Sequence, residues 1–152
     1  MFFDLTGQTA IITGAATGIG EAIASRLARA GATVAVADID TQGAAAAAEA
    51  IGGRAFPLEL DVTRADSAAE AVEAVVQRTG RIDVLVNNAG IGGRAAPLWE
   101  QTEEDWQRII AINLTGVFHC CRAVIGHMRG RGYGRIVNIA SIAGKEGNPN
   151  MT

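Results

Sequence analysis

Thr13-Gly14-Ala15-Ala16-Thr17-Gly18-Ile19-Gly20 is a run of small residues, with glycines where a backbone could turn sharply and lie against a pyrophosphate. It follows the apolar run Thr9 to Ile12 and leads into Glu21 to Ala28, which reads as an amphipathic helix. A helix start offers free N–H groups to negative charge, so the strand, loop and helix together predict a nucleotide-binding loop. Taken alone, three glycines among small residues also fit a tight turn with no ligand.

Asp38 strengthens the first reading. It ends the β-rich run Thr33 to Ala37, about 20 residues beyond the glycine loop, where a carboxylate can accept hydrogen bonds from both hydroxyls of an adenine-side ribose. The competing reading is a surface or cap residue, since Asp40 and Thr41 look like the cap of the next helix. Cys120 and Cys121 are adjacent, which strains an ordinary disulfide, so both read as reduced thiols. They suit half-buried helix positions better than a metal or redox site with His119 and His127, and no metal is expected.

These residues need a scaffold. Thr41 to Ile51 reads as a helix stopped by Gly52-Gly53, with the alanine run Ala44 to Ala48 as composition rather than a binding feature. Ala55 to Val62 predicts a third strand, Asp66 to Arg78 a helix, and Arg81 to Asn87 a fourth, nearly continuously apolar strand. After a glycine-rich loop from Gly90 to Pro97, one long helix is predicted from a Thr102 cap to Met128. A turn at Gly130 to Gly134 and a fifth strand from Arg135 to Ser141 follow. Strict alternation of strand and helix predicts an α/β, doubly wound parallel sheet, with ligands beyond the strand C-termini. Gly14, Asp38, Asp61, Asn87 to Gly90 and Ser141 all fall at those ends.

The chain has 152 residues, enough for one core and too few for two ordinary domains. Thirteen basic against sixteen acidic residues give a net charge of −3, with no Lys/Arg run that would track phosphates, so nucleic acid is not an expected partner. Met1 to Asp4 lacks the start of a signal peptide, and no segment is expected to approach the roughly 18 apolar residues of a membrane span. A cytoplasmic protein without membrane contact is the expectation.

Thr13-Gly-x3-Gly18-Ile19-Gly20, Asp61-Val62, Asn87-Asn88-Ala89-Gly90, Asn113 within Ile112-Asn113-Leu114, and Ile136 to Ser141 together span nearly the whole chain. In these motifs it resembles the short-chain dehydrogenases/reductases, in their compact single-domain branch of 3-oxoacyl reductases and sugar or alcohol dehydrogenases. The resemblance implies a Rossmann fold and a nicotinamide cofactor. It implies that Thr13, Gly14, Thr17, Gly18, Ile19 and Gly20 form the diphosphate loop, that Asp38 holds the adenosine ribose, and that Asp61 and Val62 hold the adenine. Asn88, Ala89 and Gly90 would wall the cofactor, while Asn87 stabilises the sheet. Ser141 resembles the catalytic serine that holds the substrate oxygen by hydrogen bonding rather than by nucleophilic attack. Asn113 resembles the asparagine whose backbone carbonyl holds a water in the proton relay.

One departure matters. The family's acid/base is a Tyr about a dozen residues beyond the serine, with a Lys one helical turn later that lowers its pKa. The sequence reaches Thr152 before that position, Tyr133 lies in the turn before the fifth strand, and Lys145 has no Tyr one turn ahead of it. The expectation is an N-terminal part of a longer enzyme, cut before its Tyr-x-x-x-Lys helix and inactive by itself. The intact protein is expected to oxidise a secondary alcohol or reduce a ketone, to prefer NAD over NADP, and to form a homotetramer. A non-catalytic nucleotide-binding module is the alternative. An S-adenosylmethionine methyltransferase also uses a glycine loop and a strand-end acid, but the Asn87 to Gly90 segment and the Ser141 strand argue against it.

Overall fold

The computed structural model describes residues 4–146. Its elements alternate as predicted: β1 (Thr9–Thr13), α1 (Gly18–Arg29), β2 (Thr33–Asp38), α2 (Thr41–Ile51), β3 (Ala55–Glu59), α3 (Ala65–Thr79), β4 (Val84–Asn87), α4 (Glu103–Ile110), α5 (Gly116–Arg131) and β5 (Arg135–Asn138). All ladders are parallel, in the order β3-β2-β1-β4-β5. From β1 the chain builds outward through β2 and β3, then crosses back to β4, so the order reverses between β1 and β4. In such a sheet the crevice for a ligand opens there.

The inner strands are buried on both faces, and successive residues feed opposite layers. Ala10 and Ile12, with Val34, Val36 and Val86, pack under α1 and α2 through Ala24, Ala44, Ala47 and Ala48. Ile11, Ala35 and Leu85 pack under α3 and α5 through Ala68, Ala71, Val75, Cys120, Val124 and Met128. Ala44, Ala47 and Ala48 of the alanine run thus form a close-packing face, because small side chains let the helix lie near the sheet, while Ala45 and Ala46 are exposed.

Several boundaries differ from the sequence expectation. β3 stops at Glu59 because its partner β2 ends at Asp38, and β5 ends at Asn138 rather than Ser141. All four β5 residues are exposed, unlike those of the inner strands. The long helix is not uniform. A π turn, Ala111–Thr115, separates α4 from α5, and Asn113, Thr115 and Gly116 supply weak helix formers there.

Trp106, Leu114 and Phe118, the conspicuous apolar residues of this helical run, do not pack the sheet. These side chains are exposed, and the buried stripe of α5 is Gly116, Cys120, Val124 and Met128. The run Glu103–Arg131 also contains an 18-residue window of mean hydropathy 1.6, long and apolar enough to cross a membrane. That corrects the sequence reading, and the reason is that Arg122 is the single formal charge between Arg108 and Arg129.

At the N-terminal end of the sheet Asp83 is fully buried. Its carboxylate accepts from Thr9 N–H at 2.8 Å and from Arg81 Nε and Nη2 at 2.7 Å each. Burial pushes this carboxyl up, but the Arg81 hydrogen bonds and the Thr9 N–H outweigh it and hold it below the ordinary carboxylate value. A depressed folded-state pKa contributes stability above the unfolded value, near 4, and that contribution is lost as pH falls through the lower one. Asp83→Asn should therefore cost about 1 kcal/mol at pH 7 and flatten the acid side of the stability curve. Urea unfolding between pH 7 and pH 3 checks this, and an unchanged pH slope would refute it.

Candidate functional site

At the C-terminal strand ends, a cleft of about 580 Å³ is lined by Gly14, Thr17, Gly18 and Ile19, by Asp38 and Ile39, by Leu60 to Thr63, by Asn88 to Ile91 and by Ile112. Most of the expected site residues meet here. Thr13 and Gly20 lie buried just behind the wall.

The glycine loop is shaped by close backbone approach. Gly14 has φ +62°, and a Cβ on it would lie 2.7 Å from the Ala89 Cα. A Cβ on Gly20 would strike the Gly14 carbonyl and the Asn88 amide. Thr13 and Asn88 lock the two strand ends together. The Thr13 hydroxyl oxygen accepts from the Asn88 and Ala89 N–H groups at 3.0 and 2.9 Å, while Asn88 Nδ2 donates to the carbonyls of Thr13 and Gly14, both at 2.9 Å. Asn88 is thus a buttress of the loop as well as part of the wall.

The start of α1 is open. Thr17 is extended, and its side chain makes no capping bond. At the start of α2, by contrast, Asp40 accepts from the Gly43 N–H at 2.9 Å. First-turn N–H groups without an internal partner are donors for an anion, and the helix dipole adds to their pull.

Asp38 faces the same cleft from the end of β2. Its Oδ2 accepts from the Ala16 N–H and its Oδ1 from the Asp40 N–H, each at 3.0 Å. Each oxygen keeps a lone pair, so the carboxylate is held in place and can still accept. Asp61 ends the segment after β3 in an Asx turn, with Oδ1 accepting from Thr63 N–H at 2.9 Å and Thr63 Oγ1 at 2.7 Å. Among the described residues nothing donates to Asp61 Oδ2, and Val62 N–H has no acceptor. An acceptor beside a donor matches the amino and ring-nitrogen edge of adenine.

Asn87 links the sheet: its Nδ2 donates to Asn138 Oδ1 at 2.8 Å, across the β4–β5 ladder, and to Cys121 Sγ at 3.3 Å. Asn113 stands in the π turn, and its amide pairs reciprocally with the Ile91 backbone at 2.9 Å in both directions. This ties the loop after β4 to the helix. Ser141 is exposed beyond β5, where its oxygen accepts from Ala143 N–H at 3.2 Å and caps a single helical turn. Its O–H donor is left over for another oxygen. Tyr133 precedes β5, under Arg135 at 4.8 Å, so it stands a strand's length from Ser141. The cysteines form no disulfide, and burial pushes the Cys120 thiol up to about 12, leaving it protonated. Among the described residues no His, Cys, Asp and Glu cluster could hold a metal.

Thr63, Ser67 and His119 were not expected at the site. The Asp61-x-Thr63 spacing signals an Asx turn, but nothing in the sequence marks Ser67, whose Oγ accepts from Asp61 N–H at 3.0 Å, or His119.

The family model described as short chain dehydrogenase matches residues 8–152. The chain is 43% identical over 146 residues to a 2-dehydro-3-deoxy-L-rhamnonate dehydrogenase (NAD(+)) of a Sphingomonas strain, covering 96% of this chain and 58% of that protein. It is 46% identical over 151 residues to the 3-oxoacyl-[acyl-carrier-protein] reductase FabG of Thermotoga maritima, covering 97% and 61%. In three dimensions it resembles a Brucella melitensis 3-ketoacyl-(acyl-carrier-protein) reductase complexed with NADH, with a TM-score of 0.93 at 36% identity over 97% of this chain and 63% of that one. An NAD+-bound xylitol dehydrogenase gives the same TM-score at 39% identity, covering 97% and 58%. The chain spans about three fifths of the length of these relatives. With the family pattern matched over nearly every residue, this chain belongs to the short-chain dehydrogenase/reductase family of oxidoreductases.

Proposed function

We propose that the intact protein moves a hydride between NAD(H) and a secondary alcohol or ketone. One observation carries this reading: the uncapped start of α1 and the half-satisfied carboxylate of Asp38 open onto the same cleft. A diphosphate fits the first and a ribose diol the second. Gly14, Gly18 and Gly20 let the backbone approach the diphosphate, Asp38 accepts from the ribose hydroxyls, and Asp61 with Val62 N–H receives the adenine edge. When bound, the nicotinamide supplies the hydride chemistry.

Ser141 donates its O–H to the substrate oxygen and favours the charge that develops there. Asn113, its amide fixed on Ile91, orients the π turn whose carbonyls hold a relay water. By the family resemblance the proton comes from a tyrosine about a dozen residues past this serine, a role Tyr133 cannot take because it stands at the other end of β5. The described residues carry the proposed cofactor cleft and the substrate-holding serine, and a non-catalytic nucleotide-binding module is the second reading. Incubation of the intact protein with NADH deuterated at C4 and a panel of sugar, polyol-derived and acyl-thioester ketones separates them. Deuterium at the carbinol carbon of a product is expected, and NADH binding without transfer would favour the module.

We further propose a cytoplasmic homotetramer; the exposed Trp106 of α4, Leu114 of the π turn, and Phe118 and Ile125 of α5 support the self-association, because large exposed apolar patches mark contacts. Light scattering at micromolar concentration should give four times the chain mass, and a monomer would exclude it.

A further inference from the structure

We infer that His119 positions the adenine-binding carboxylate of Asp61, an inference that rests on the cofactor reading above. The peptide unit joining Val62 to Thr63 is held at both ends. Its carbonyl accepts from His119 Nδ1 at 3.0 Å, and its N–H donates to Asp61 Oδ1 at 2.9 Å. Because the acceptor is a carbonyl, the His119 ring carries its proton on Nδ1. A peptide unit is planar, so fixing the oxygen fixes the direction of the N–H, and that N–H sets where the Asp61 carboxylate lies.

α5 presses on this strap at two points one turn apart. His119 holds the Val62 carbonyl, and Gly116 packs so closely that a Cβ there would come within 2.8 Å of Val62 Cγ2. From the other side, Ser67 of α3 takes the Asp61 N–H. The strap is thus clamped between two helices, and Asp61 Oδ2 and Val62 N–H remain for the ligand. His119 is half-buried, touches no part of the proposed ligand directly, and acts through the peptide.

The test uses the intact protein and isothermal titration with ADP-ribose. His119→Leu keeps bulk and removes the donor, while His119→Asn places Nδ2 where the imidazole carries Nδ1. Loss of one hydrogen bond of this kind is worth about a three- to tenfold rise in Kd. We expect that rise for His119→Leu, a value within about twofold of wild type for His119→Asn, and no further rise when His119→Leu is added to Asp61→Ala, because the two act as one unit. Wild-type affinity in His119→Leu, equal weakness in both His119 variants, or an undiminished effect in the Asp61→Ala background would each overturn the inference. Failure of the wild-type protein to bind ADP-ribose would instead overturn the cofactor reading itself.

Discussion

Ser141→Ala in the intact protein should lower kcat by about 10²- to 10³-fold at saturating cofactor, the scale of losing one preorganised donor to a developing oxyanion. The Kd for NADH stays at its wild-type value. The two readouts separate because Ser141 lies beyond β5, apart from the segments that line the cleft from Gly14 to Ile112. Within the described residues the hydroxyl has one protein partner, the Ala143 N–H, toward which it accepts. The O–H proton is therefore available to a substrate, and only this donor is lost in alanine. Losing the cap also frees Ala143 N–H, but that site is exposed and water replaces the acceptor at small cost. Ser141→Thr keeps the hydroxyl and should retain far more turnover. Wild-type kcat in Ser141→Ala would remove the serine from the mechanism.

If Asp38 holds the adenine-side ribose as proposed, it sets the cofactor preference, and the expected selectivity for NADH over NADPH is about tenfold to a hundredfold in kcat/KM. The 2′-phosphate of NADP would meet this carboxylate. At an effective dielectric near 20 and a separation of about 4 Å the repulsion has an upper limit of roughly 4 kcal/mol, and screening in an open cleft leaves about 1–3 kcal/mol. Neither Thr17 in the glycine loop nor Ile39 after Asp38 supplies a cation to offset it. Asp38→Asn removes the charge and keeps one of the two oxygens that accept from Ala16 and Asp40 N–H, so the preference should collapse toward parity. Measuring kcat/KM with both cofactors decides the point, and equal values in the wild type would contradict it.

Much of this fold could be read from the residues. Near-continuous apolar runs such as Val34 to Ala37 and Val84 to Val86 demand a sheet covered on both sides, and the glycines at 31, 52 and 80 stop the helices between them. Gly14, Asp38, Asp61 and Asn88 could be placed together because a parallel sheet gathers all its C-terminal ends on one side.

What escaped the sequence depends on partners distant along the chain. The burial of α5 follows from which stripe meets the sheet, and Gly116, Cys120, Val124 and Met128 are less conspicuous than Trp106 and Phe118. The π turn arises where Asn113 must reach Ile91, a contact across 22 positions. Hydropathy says nothing of that. Asn88 was legible as a cleft residue but not as the clamp on Thr13 and Gly14, since either role needs the same amide in the same place. The fifth strand was legible, whereas its early end at Asn138 was not.

The cleft between the α1 start, Asp38 and Asp61 is proposed to hold NAD(H). Fluorescence titration of the intact protein with NADH tests it most directly, with Gly20→Ala as the control, because a methyl group there collides with the Gly14 carbonyl and the Asn88 amide. Saturable enhancement of nicotinamide emission is expected in the wild type, with a large loss of affinity in Gly20→Ala. No saturable binding by the folded wild-type protein, or equal binding by both, would contradict it.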